Sequence, residues 1–433
     1  MGCSKNLVDS ERLMRMLEHK GYTLSHDPES VTGEYVVVNT CGFIGDAKEE
    51  SINLLLQLGE LRKEGRIGCL VVMGCLSQRY MDELKASIPE VDKWFGKFDW
   101  TGFADSLPGA ADAVNRVPTA PKPWERLLTG NPWNAYLKIS EGCDRFCAFC
   151  AIPLITGRHK SRPKEEILEE VHRLVSDGVA EFNVIAQDLS SYGLDLYGSH
   201  ELASLIDEMA QIDGVRWIRL HYAYPTDFPY DILPVMARHA NVCNYLDIAL
   251  QHISDNVLSR MRRRFTATQT RALVERIRHE VPGIKLRTTM MVGFPGETDA
   301  DFEELLDFVR EVRFDRLGAF AYSEEDDTYA ARHYTDDVPE DVKQSRLDRL
   351  MAVQEEIAAE LASVQIGQTL DVLVERIEDG CAVGRTEYDS PEVDPEVYLK
   401  LDENAPCPAT GQWVRAQVTG VDGYDLLGNI VPL

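Results

Sequence analysis

Three cysteines near the middle of the chain have a spacing that suits an iron–sulfur cluster. Cys143, Cys147 and Cys150 form the pattern Cys-x3-Cys-x2-Cys. Three thiolates in one loop can bind three irons of a [4Fe–4S] cluster and leave the fourth iron without a protein ligand. An open coordination position is what a reactive metal centre needs. The alternative is a structural zinc site, for which His159 is the only nearby candidate as a fourth ligand.

A second group of cysteines is spread over the first part of the chain. Cys3, Cys41 and Cys75 lie 38 and 34 residues apart, and the last two each follow an apolar run that predicts a strand. Ends of parallel strands meet at one edge of a sheet, so we expect these thiolates to converge on a second, three-coordinate [4Fe–4S] cluster. The alternative is that they are buried thiols that act as small hydrophobic side chains. The better examples of such thiols are Cys69, Cys243 and Cys381.

The elements before residue 115 must position this second group. The spacing of apolar residues predicts helices over residues 7–17 and 47–63 and short strands over residues 35–39 and 69–73. Alternation of strand and helix indicates an α/β domain with a parallel sheet over residues 1–115. Prolines then interrupt the pattern between Pro118 and Pro132, which predicts a linker over residues 116–133.

Six strand–helix units follow over residues 134–365. The strands are predicted at residues 136–140, 181–187, 215–222, 245–250, 285–292 and 316–322, with helices between them, for example at 164–176, 202–211 and 301–312. The repetition indicates a partial, TIM-like (β/α)6 barrel, whose active site lies at the carboxyl ends of the strands. Residues 367–433 have short alternating runs between Gly, Pro and Asp residues, which predict a small antiparallel β barrel.

The balance of charge weakens one class of function. The 433 residues include 45 Lys and Arg against 72 Asp and Glu, a net charge of −27. Proteins that rely on phosphate contacts normally have a basic face, so we expect little direct binding to nucleic acid and a preference for a basic partner. The one basic run, Arg260 with Arg262, Arg263 and Arg264, is interpreted as a solvated helix end, with contact to RNA or to a carboxylate as the alternative. The acidic residues 324–327 form either a solvated loop or a docking edge for a basic peptide.

The sequence contains no recognisable secretory segment and no apolar run long enough to cross a bilayer. We therefore expect a cytoplasmic protein without a membrane partner. Because the cytosol is reducing, its ten cysteines are expected to be metal ligands or buried thiols rather than disulfides.

The cysteine loop and the strand ends resemble those of the radical-SAM enzymes. That superfamily has the same cysteine spacing with an aromatic residue before the last cysteine, which is Phe149 here. The resemblance implies that S-adenosyl-L-methionine (SAM) binds the open iron. Its further contacts would lie at the ends of the second, fifth and sixth barrel strands, at Gln187, Asp188, Gly293, Gly296, Glu297 and Tyr322. Each of these segments alone has the composition of an ordinary strand-to-helix turn, so their placement at successive strand ends carries the resemblance.

Over essentially its whole length the chain resembles the radical-SAM methylthiotransferases, which combine two such clusters with a C-terminal β barrel. The local sequence most resembles that of the RimO-type branch, which modifies a ribosomal protein. The matching segments are residues 2–11, 39–44, 161–163, 187–193, 219–222 and 246–252. The tRNA-modifying branch typically has Asn where this chain has Asp188. Ser4 and Ala249 depart from prolines that are usual in the branch. The last block resembles a TRAM domain, which is often an RNA-binding module.

The resemblance implies insertion of a methylthio group at an unactivated C–H bond. Such a bond has no acidic proton, so a positioned acid and base cannot break it at neutral pH and a radical is required. In the family, the cluster of the central loop reduces SAM to methionine and a 5′-deoxyadenosyl radical that takes a hydrogen from the substrate. The second cluster then delivers sulfur that another SAM has methylated. The implied substrate is the β-carbon of an aspartate in small-subunit ribosomal protein twelve, with an electron donor and a sulfur donor as further partners.

Two other functions remain open at this stage. One is methylthiolation of an adenosine in tRNA, and the other is a non-catalytic iron–sulfur or zinc protein bound to the ribosome. The charge of residues 367–433 favours a protein substrate, because this segment contains 13 Asp and Glu and only 4 Lys and Arg, a net charge of −9. We expect such a barrel to attract a basic ribosomal protein and to repel RNA.

The start of the chain differs from the pattern of the other strands. Only Met1 and Gly2 precede Cys3, which leaves no room for the strand that the family normally has before this Gly-Cys pair. A ligand on a frayed terminus would be poorly held. Our hypothesis is that the native protein begins several residues upstream. The alternative is a genuine short form whose second cluster is more exposed and labile.

Overall fold

The structure is a computed structural model that describes residues 2–26, 31–43, 45–108, 122, 124–401 and 406–432. Within these ranges the chain forms an N-terminal α/β region, a central region with a six-stranded sheet and a C-terminal closed barrel. This arrangement confirms the fold class expected from the sequence. Residues 116–121 and 123 of the predicted linker lie outside the described residues. Its described part, from residue 124 onward, packs against the first helix, where Leu127 N donates to Glu11 O at 3.1 Å.

Three parallel strands form the sheet of the N-terminal region. They are β1 (Gly33–Thr40), β2 (Ile67–Gly74) and the short β3 (Lys93–Trp94), in the order β1-β2-β3. The helices around them are α1 (Ser4–His19), α2 (Gly45–Lys63), α3 (Cys75–Ser87) and α4 (Trp100–Ser106). The first two strands confirm the predicted ones and extend slightly further at both ends, because Gly33 pairs with Ile67 and Thr40 with Gly74.

Helix α1 buries a more polar face than its apolar spacing predicts. Asn6, Asp9 and Glu11 are buried along with Val8 and Leu13. The helix lies between the N-terminal sheet and the central region, where it contacts both β1 and the first central strand. Since both of its sides are covered, the polar side chains on the second side need buried partners.

A parallel six-stranded sheet forms the centre of the molecule, in the order β11-β10-β9-β8-β7-β4. Its strands are β4 (Asn134–Lys138), β7 (Glu181–Ile185), β8 (Trp217–Ala223), β9 (Val242–Gln251), β10 (Lys285–Val292) and β11 (Arg316–Ala321). All six predicted strands are confirmed, and β10 matches its prediction at both ends. A further antiparallel pair, β5 (Ser140–Glu141) with β6 (Lys160–Ser161), brackets the cysteine loop.

Helices separate the central strands, as expected for repeated β/α units. They are α5 (Ile152–Thr156), α6 (Lys164–Ser176), α7 (Leu194–Tyr197), α8 (Leu202–Ala210), α9 (Ile232–Arg238), α10 (Asp255–Arg260), α11 (Ala267–Glu280), α12 (Asp299–Val312), α13 (Tyr329–His333) and α14 (Glu340–Ser363), with a 3-10 turn at Leu189–Ser191. Helices α11 and α12 begin where they do because Thr266 and Thr298 form capping boxes with the third residue of each helix. The long α14 packs on β11 and α12 and covers that side of the sheet.

Five strands close the C-terminal barrel. They are β12 (Thr369–Glu378), β13 (Cys381–Arg385), β14 (Val397–Lys400), β15 (Trp413–Asp422) and β16 (Asp425–Val431). Four of the neighbouring pairs are antiparallel, but β14 and β16 are parallel. The antiparallel barrel expected from the sequence needs this one correction, because directions cannot alternate all the way around a closed ring with an odd number of strands.

The C-terminal barrel packs against the amino ends of the central strands. Glu181 begins β7, and its carboxylate binds Arg385 of β13 at 2.8 Å and also pairs with Arg219 of β8, all three side chains being fully buried. Trp217 and Trp413 stack edge to face with ring centres 4.1 Å apart. The barrel therefore lies at the opposite end of the strands from the cysteine loop.

Among the helices of the described ranges, none has both the length and the apolar character needed to cross a membrane.

Candidate active site

The central cysteine loop follows β4 and β5 at the carboxyl end of the sheet. Backbone hydrogen bonds hold it at both ends, from Cys143 N to Gly157 O at 3.2 Å and from Ala148 N to Met261 O at 2.8 Å. Gly142 has φ +82° and packs against the carbonyl of Arg158, where a β-carbon would collide with that oxygen. The sequence needs glycine there because only glycine combines this backbone conformation with such a close approach.

The three thiols of this loop lie close together in a dry environment. Burial raises the pKa of Cys143 to about 12, and it also raises the pKa of Cys150. Ionisation of Cys147 would raise both pKa values further, because it lies near both sulfur atoms. Nucleophilic cysteines have a lowered pKa. Since burial keeps Cys143 and Cys150 protonated at neutral pH, the charge of a bound metal centre would have to ionise them.

Cys147 has polar neighbours that the sequence did not reveal. Its Sγ lies 3.6 Å from the hydroxyl of Tyr224 and 3.6 Å from Nη1 of Arg263. The ring of Tyr224 is covered by two guanidinium groups, with Arg145 4.4 Å and Arg263 4.5 Å from its centre. Cations beside a thiolate stabilise its charge. Arg263 lies 116 residues from Cys147 along the chain, so the sequence gave no signal of this contact.

The N-terminal cysteines come together at the edge of their sheet, and their role as cluster ligands stays a prediction. Cys41 directly follows β1, Cys75 begins α3 after β2, and Cys3 caps the start of α1. A β-carbon at Gly42 would lie 2.6 Å from Leu76 Cα and 2.9 Å from the carbonyl carbon of Cys75, and one at Gly2 would lie 3.1 Å from Cys41 Cβ. These close backbone approaches bring the three cysteine segments into contact.

Two of the three thiols of this second group, those of Cys41 and Cys75, also lie in a dry environment. Burial raises the pKa of Cys41, and it raises the pKa of Cys75 to about 12 although the ammonium of Lys97 opposes the rise. The charge of Cys3 acts on both pKa values, so the three sulfur atoms are mutual neighbours. Cys75 also donates to Asn6 Oδ1 at 3.6 Å. Cys3 itself is exposed.

Both groups of thiols fit an iron–sulfur cluster better than a zinc ion. Zinc needs its ligands within about 2.3 Å of one point, whereas cluster thiolates each bind a different iron. Among the described residues, no group of three or more His, Cys, Asp or Glu side chains is gathered tightly enough to hold a single ion. His159, the candidate fourth zinc ligand, directs Nε2 to Ser161 Oγ at 3.1 Å and lies 3.7 Å from Asp195.

A buried chain of charges joins the two groups of cysteines. Asp9 of α1 binds Lys97 at 2.6 Å and also Lys138 at the end of β4, and Lys138 binds Glu141 at 2.7 Å. Burial alone would raise the pKa of Asp9, but the charges of Lys138 and Lys97 outweigh it and hold this pKa well below its usual range. Lys97 adjoins Cys75, and Glu141 lies two residues before Cys143. The lysine that ends strand β4, after the apolar residues 135–137, was the sequence signal for a buried partner.

Gln187 continues this chain at the end of β7. Its amide nitrogen donates to Glu141, and its Oε1 is buried without a partner among the described residues. An unpartnered buried acceptor can receive a hydrogen bond from a ligand amine. Gln187 therefore fits the predicted contact to the SAM amino group, which stays a prediction.

Asp188 has a structural position that the sequence did not suggest. Its carboxylate accepts hydrogen bonds from Ser190 N at 2.9 Å, Ser191 Oγ at 2.6 Å and Arg145 Nε at 2.7 Å. It thus caps the 3-10 turn and orients Arg145 of the cysteine loop. The described structure leaves little of this carboxylate for a cofactor, so its predicted contact with SAM would be indirect.

The predicted SAM residues after β10 and β11 form a turn and an aromatic cluster. Glu297 folds back to accept from Gly293 N at 2.7 Å and binds Arg346 at 3.1 Å, and burial raises its pKa to about 7 although Arg346 opposes the rise. Gly296 has φ +83° and faces the guanidinium of Arg260. Phe294 stacks on Tyr322 with ring centres 5.1 Å apart, and on Phe149 at 6.3 Å. The cluster therefore connects the cysteine loop with both strand ends.

A cation from α1 lies at the mouth of the central sheet. Lys5 Nζ lies 3.1 Å from the centre of the Tyr222 ring, and no carboxylate of the described residues lies within 4.0 Å of it. Below it are buried His221 and Asp247. Burial lowers the pKa of His221 well below its usual value, and burial raises the pKa of Asp247 to about 6 although Arg287 opposes the rise. Lys5 is two residues from Cys3, so this cation lies between the second group of cysteines and the interior of the sheet.

The acidic residues after β11 bind the N-terminal region. Glu325 pairs with Lys48 at 2.9 Å and with Arg79 at 3.0 Å, and Tyr80 donates to Asp326 at 2.8 Å. Of the two interpretations left open by the sequence, neither describes Glu325 and Asp326, because this edge is already occupied by side chains of α2 and α3.

Three family models match successive parts of the chain. The Uncharacterized protein family UPF0004 model matches residues 1–96, the Radical SAM superfamily model residues 137–309 and the TRAM domain model residues 366–431. The central sheet, its cysteine loop and this match define a radical-SAM enzyme.

Curated relatives narrow the class to one family. A protein of Porphyromonas gingivalis (strain ATCC BAA-308 / W83) with the name ribosomal protein uS12 methylthiotransferase RimO is 58% identical over 433 residues, which cover 100% of this chain and 98% of the relative. Proteins of the same name from Bacteroides fragilis (strain YCH46) and Christiangramia forsetii are 56% and 45% identical, over 100% and 99% of this chain and 98% and 92% of the relatives. The chain belongs to the family of ribosomal protein uS12 methylthiotransferases RimO.

Solved structures share the fold. The radical S-adenosylmethionine methyltransferase TsrM from Kitasatospora setae, with cobalamin and a [4Fe-4S] cluster bound, has a TM-score of 0.55 at 14% identity over 88% of this chain and 75% of that chain. The same enzyme with tryptophan and a SAM analogue has a TM-score of 0.53 at 15% identity over 73% and 70%. At this level of identity the similarity concerns the fold alone.

Proposed function

We propose that this chain methylthiolates the β-carbon of an aspartate in ribosomal protein uS12, with two [4Fe–4S] clusters and SAM as cofactors. The central cluster would be held by Cys143, Cys147 and Cys150, and the second by Cys3, Cys41 and Cys75. When bound, these groups supply the radical chemistry that breaks an unactivated C–H bond and the sulfur that is inserted there. The chain itself holds the two sets of thiols, of which only that of Cys3 is exposed.

The observation that supports this proposal best is the convergence of six cysteines into two groups of three. Each group supplies three thiolates, which leaves one position of a four-iron cluster open. The chain of Asp9, Lys97, Lys138 and Glu141 links the two groups through buried charges. A metal protein with a purely structural role would need only one closed site, so two open sites in one chain favour catalysis.

The electrostatics of the mouth favour an aspartate over a tRNA adenosine. Lys5 is a cation without a carboxylate partner in the described structure, and it stands at the entrance of the sheet. A substrate carboxylate would complete this ion pair, whereas an adenine ring carries no negative charge. Asp389 and Asp394 pair with Arg316 and Arg287 of the central sheet, which neutralises part of the acidity of the C-terminal barrel. Its surface is therefore less acidic than its net charge of −9 suggests.

Mass spectrometry of the small-subunit proteins tests the proposal. In a strain that lacks the gene, uS12 should lose the mass of one methylthio group, and the full-length chain should restore it. A Cys41→Ala chain should not restore it, while the matched control Cys381→Ala, which changes a cysteine outside both groups, should. If the strain instead lost a methylthioadenosine from its tRNA and kept the uS12 modification, the proposal would be wrong and the function would be methylthiolation of tRNA.

A colour and cleavage assay separates the proposal from a non-catalytic metal protein. Anaerobically reconstituted protein should be brown and should cleave SAM when dithionite is added. A colourless protein that leaves SAM intact would contradict the proposal.

A further inference from the structure

A cleft beside the central cysteine loop carries a concentration of positive charge. It has a volume of about 530 Å³. Its lining includes Arg145, Arg262, Arg263, Arg264 and Phe265. We name the surface formed by Arg262, Arg263 and Arg264 the arginine face. The sequence interpretation of this run as a solvated helix end does not describe its surroundings, because the run forms one wall of the cleft.

The charge of the arginine face is not neutralised within the described structure. None of its three guanidinium groups has a carboxylate within 4.0 Å, whereas Arg145 across the cleft pairs with Asp188 at 2.7 Å and Asp227 at 3.2 Å. Asp255 also lines the cleft, and its Oδ1 accepts from Ala267 N at the start of α11. In a chain with a net charge of −27, a basic surface of this kind attracts a partner that the rest of the molecule repels.

The arginine face reaches the sulfur of the cysteine loop through one side chain. Nη1 of Arg263 lies 3.6 Å from Cys147 Sγ, and its other nitrogen, Nη2, donates to Ala249 O. Arg263 is therefore fixed and buried between the cleft and the loop, while Arg262 and Arg264 are exposed at its rim. A molecule seated on the rim would be separated from the proposed cluster by the width of the Arg263 and Tyr224 side chains.

An exposed aromatic ring lies next to these cations. Tyr329 leaves 38% of its surface exposed, and the guanidinium of Arg262 lies 4.3 Å from its ring centre. Protein interfaces are enriched in arginine and aromatic residues at their centres. The composition suits a protein partner with an acidic surface.

We propose that the arginine face docks an acidic one-electron carrier protein that reduces the central cluster. This rests on the proposed function in one respect, namely that the cysteine loop holds a cluster. In the step, the carrier loses one electron and the cluster gains it, with no bond made or broken and no proton moved at the docking surface. Arg262 and Arg264 attract and orient the carrier, and Arg263 stands between its redox group and Cys147.

A nucleic acid is the less suitable occupant of this surface. Binding to a nucleic acid grows with the number of phosphates that cations neutralise. The arginine face offers three cations, and a long polyanion that extended beyond them would meet a chain with a net charge of −27. A compact acidic protein can place its charge on the arginine face alone.

Binding of the reconstituted holoenzyme to two acidic carriers tests the proposal. The probes are a flavodoxin and a [2Fe–2S] ferredoxin, and calorimetry at several salt concentrations is the readout. Wild-type protein should bind at least one of them, with an affinity that falls as salt increases. In the Arg262→Gln/Arg264→Gln variant, the Kd should rise about tenfold and its salt dependence should flatten. The matched control is Arg173→Gln/Arg310→Gln, which removes two exposed arginines elsewhere and should leave the Kd unchanged.

A comparison of reductants gives a second readout. With the carrier as reductant, SAM cleavage by the Arg262→Gln/Arg264→Gln variant should fall about tenfold. With dithionite it should stay within about twofold of wild type, because a small reductant needs no docking surface. Failure of wild-type protein to bind either carrier, an unchanged Kd in the variant, or salt-sensitive binding of RNA to the same face would overturn the docking proposal. Failure of the proposed function would instead appear as unmodified uS12 with every reductant.

Discussion

Both groups of cysteines bring three thiols together, but one does so within a single loop and the other by the packing of three distant segments. Cys143, Cys147 and Cys150 belong to one loop, which hydrogen bonds to Gly157 and Met261 hold in place. The N-terminal group is assembled from three segments that meet only in the folded sheet, through backbone approaches as close as 2.6 Å at Gly42. The first group depends on a local turn, and the second depends on the register of β1 with β2 and on the seating of α1.

The surroundings of the two groups differ in the kind of charge that they supply. Arg263 lies against Cys147, and the cleft beside it is open to a partner. The N-terminal group adjoins Lys97, which Asp9 neutralises inside the protein. We relate this difference to the proposed roles, in which an outside carrier would reduce the central group and the N-terminal group would act toward the substrate at the mouth of the sheet.

Substitution of cysteines should separate the two roles most strongly. Cys143→Ser should abolish measurable SAM cleavage, because the loop would lose one of its three thiolates. Cys75→Ser should leave SAM cleavage in place but stop methylthio transfer to uS12. SAM cleavage and the mass of uS12, measured on the same preparations, check both outcomes. Normal methylthio transfer by the Cys75→Ser variant would contradict the unequal roles.

Among the charges that connect the two groups of cysteines, Asp9 should contribute most to the free energy of unfolding. Asp9→Asn would leave Lys97 buried without its carboxylate partner and Lys138 with Glu141 alone, and breaking a buried pair in this way costs about 3–5 kcal/mol. We expect the free energy of unfolding, measured by urea denaturation at pH 7, to fall by about that amount. Glu18→Gln on the same helix removes an exposed pair with Arg15 and should change it by less than about 1 kcal/mol.

The pKa of Asp9 also predicts a dependence on acidity. Its folded-state pKa lies below the unfolded value, so its contribution to stability is present above the unfolded pKa and is lost as the pH falls through the folded one. The Asp9→Asn variant should therefore differ less from wild type at strongly acidic pH than at pH 7. An equal difference at both pH values would show that the charge of Asp9 is not the cause.

Asp247 should have the opposite dependence on pH. Burial raises its pKa to about 6, so its favourable contribution is present below the unfolded value and is lost as the pH rises through 6. Asp247→Asn keeps an acceptor for Tyr222 N but has no charge to bury. We expect the variant to gain about 1–3 kcal/mol relative to wild type between pH 5 and pH 8 in urea denaturation. A constant difference across this range would indicate that Asp247 stays charged throughout.

Lys5 should have a smaller effect, limited to recognition of the substrate. A peptide of uS12 with its aspartate should bind wild-type protein more tightly than the same peptide with asparagine. In Lys5→Met this preference should shrink about 3–10-fold, which corresponds to roughly 1 kcal/mol for a partly exposed charge pair. Fluorescence titration of the two peptides against the two proteins checks it. An unchanged preference for aspartate in the variant would place the carboxylate elsewhere.

Much of the fold follows from patterns that the chain carries locally. The strands of the central sheet could be predicted because buried parallel strands are continuous apolar runs bounded by turns, and β10 matches its prediction at both ends. The cysteine loop could be predicted because its three thiols lie within eight residues of one another. The parallel closure of β14 with β16 could not be read from alternating residues, because alternation is the same in both pairings.

The residues that connect the parts of the molecule escaped prediction. Asp9 looks like an exposed residue of an amphipathic helix, and Arg263 looks like a solvated helix end. Their partners, Lys138 and Cys147, lie 129 and 116 residues away along the chain. Gly293, Gly296 and Glu297 could be recognised as a motif, but the motif did not show that Glu297 would close on Arg346.

The sequence determines where cysteines, strands and turns occur, because these depend on side-chain type and on spacing over a few residues. Tertiary structure decides which charges are buried together, which thiols become neighbours and which arginines remain without a partner. The physical reason is that the energy of a charge depends on its distance from other charges and on its exposure to water. Both quantities are set by segments that are far apart in the chain, as Asp9 and Lys138 are, and they become defined only when the N-terminal region packs against the central sheet.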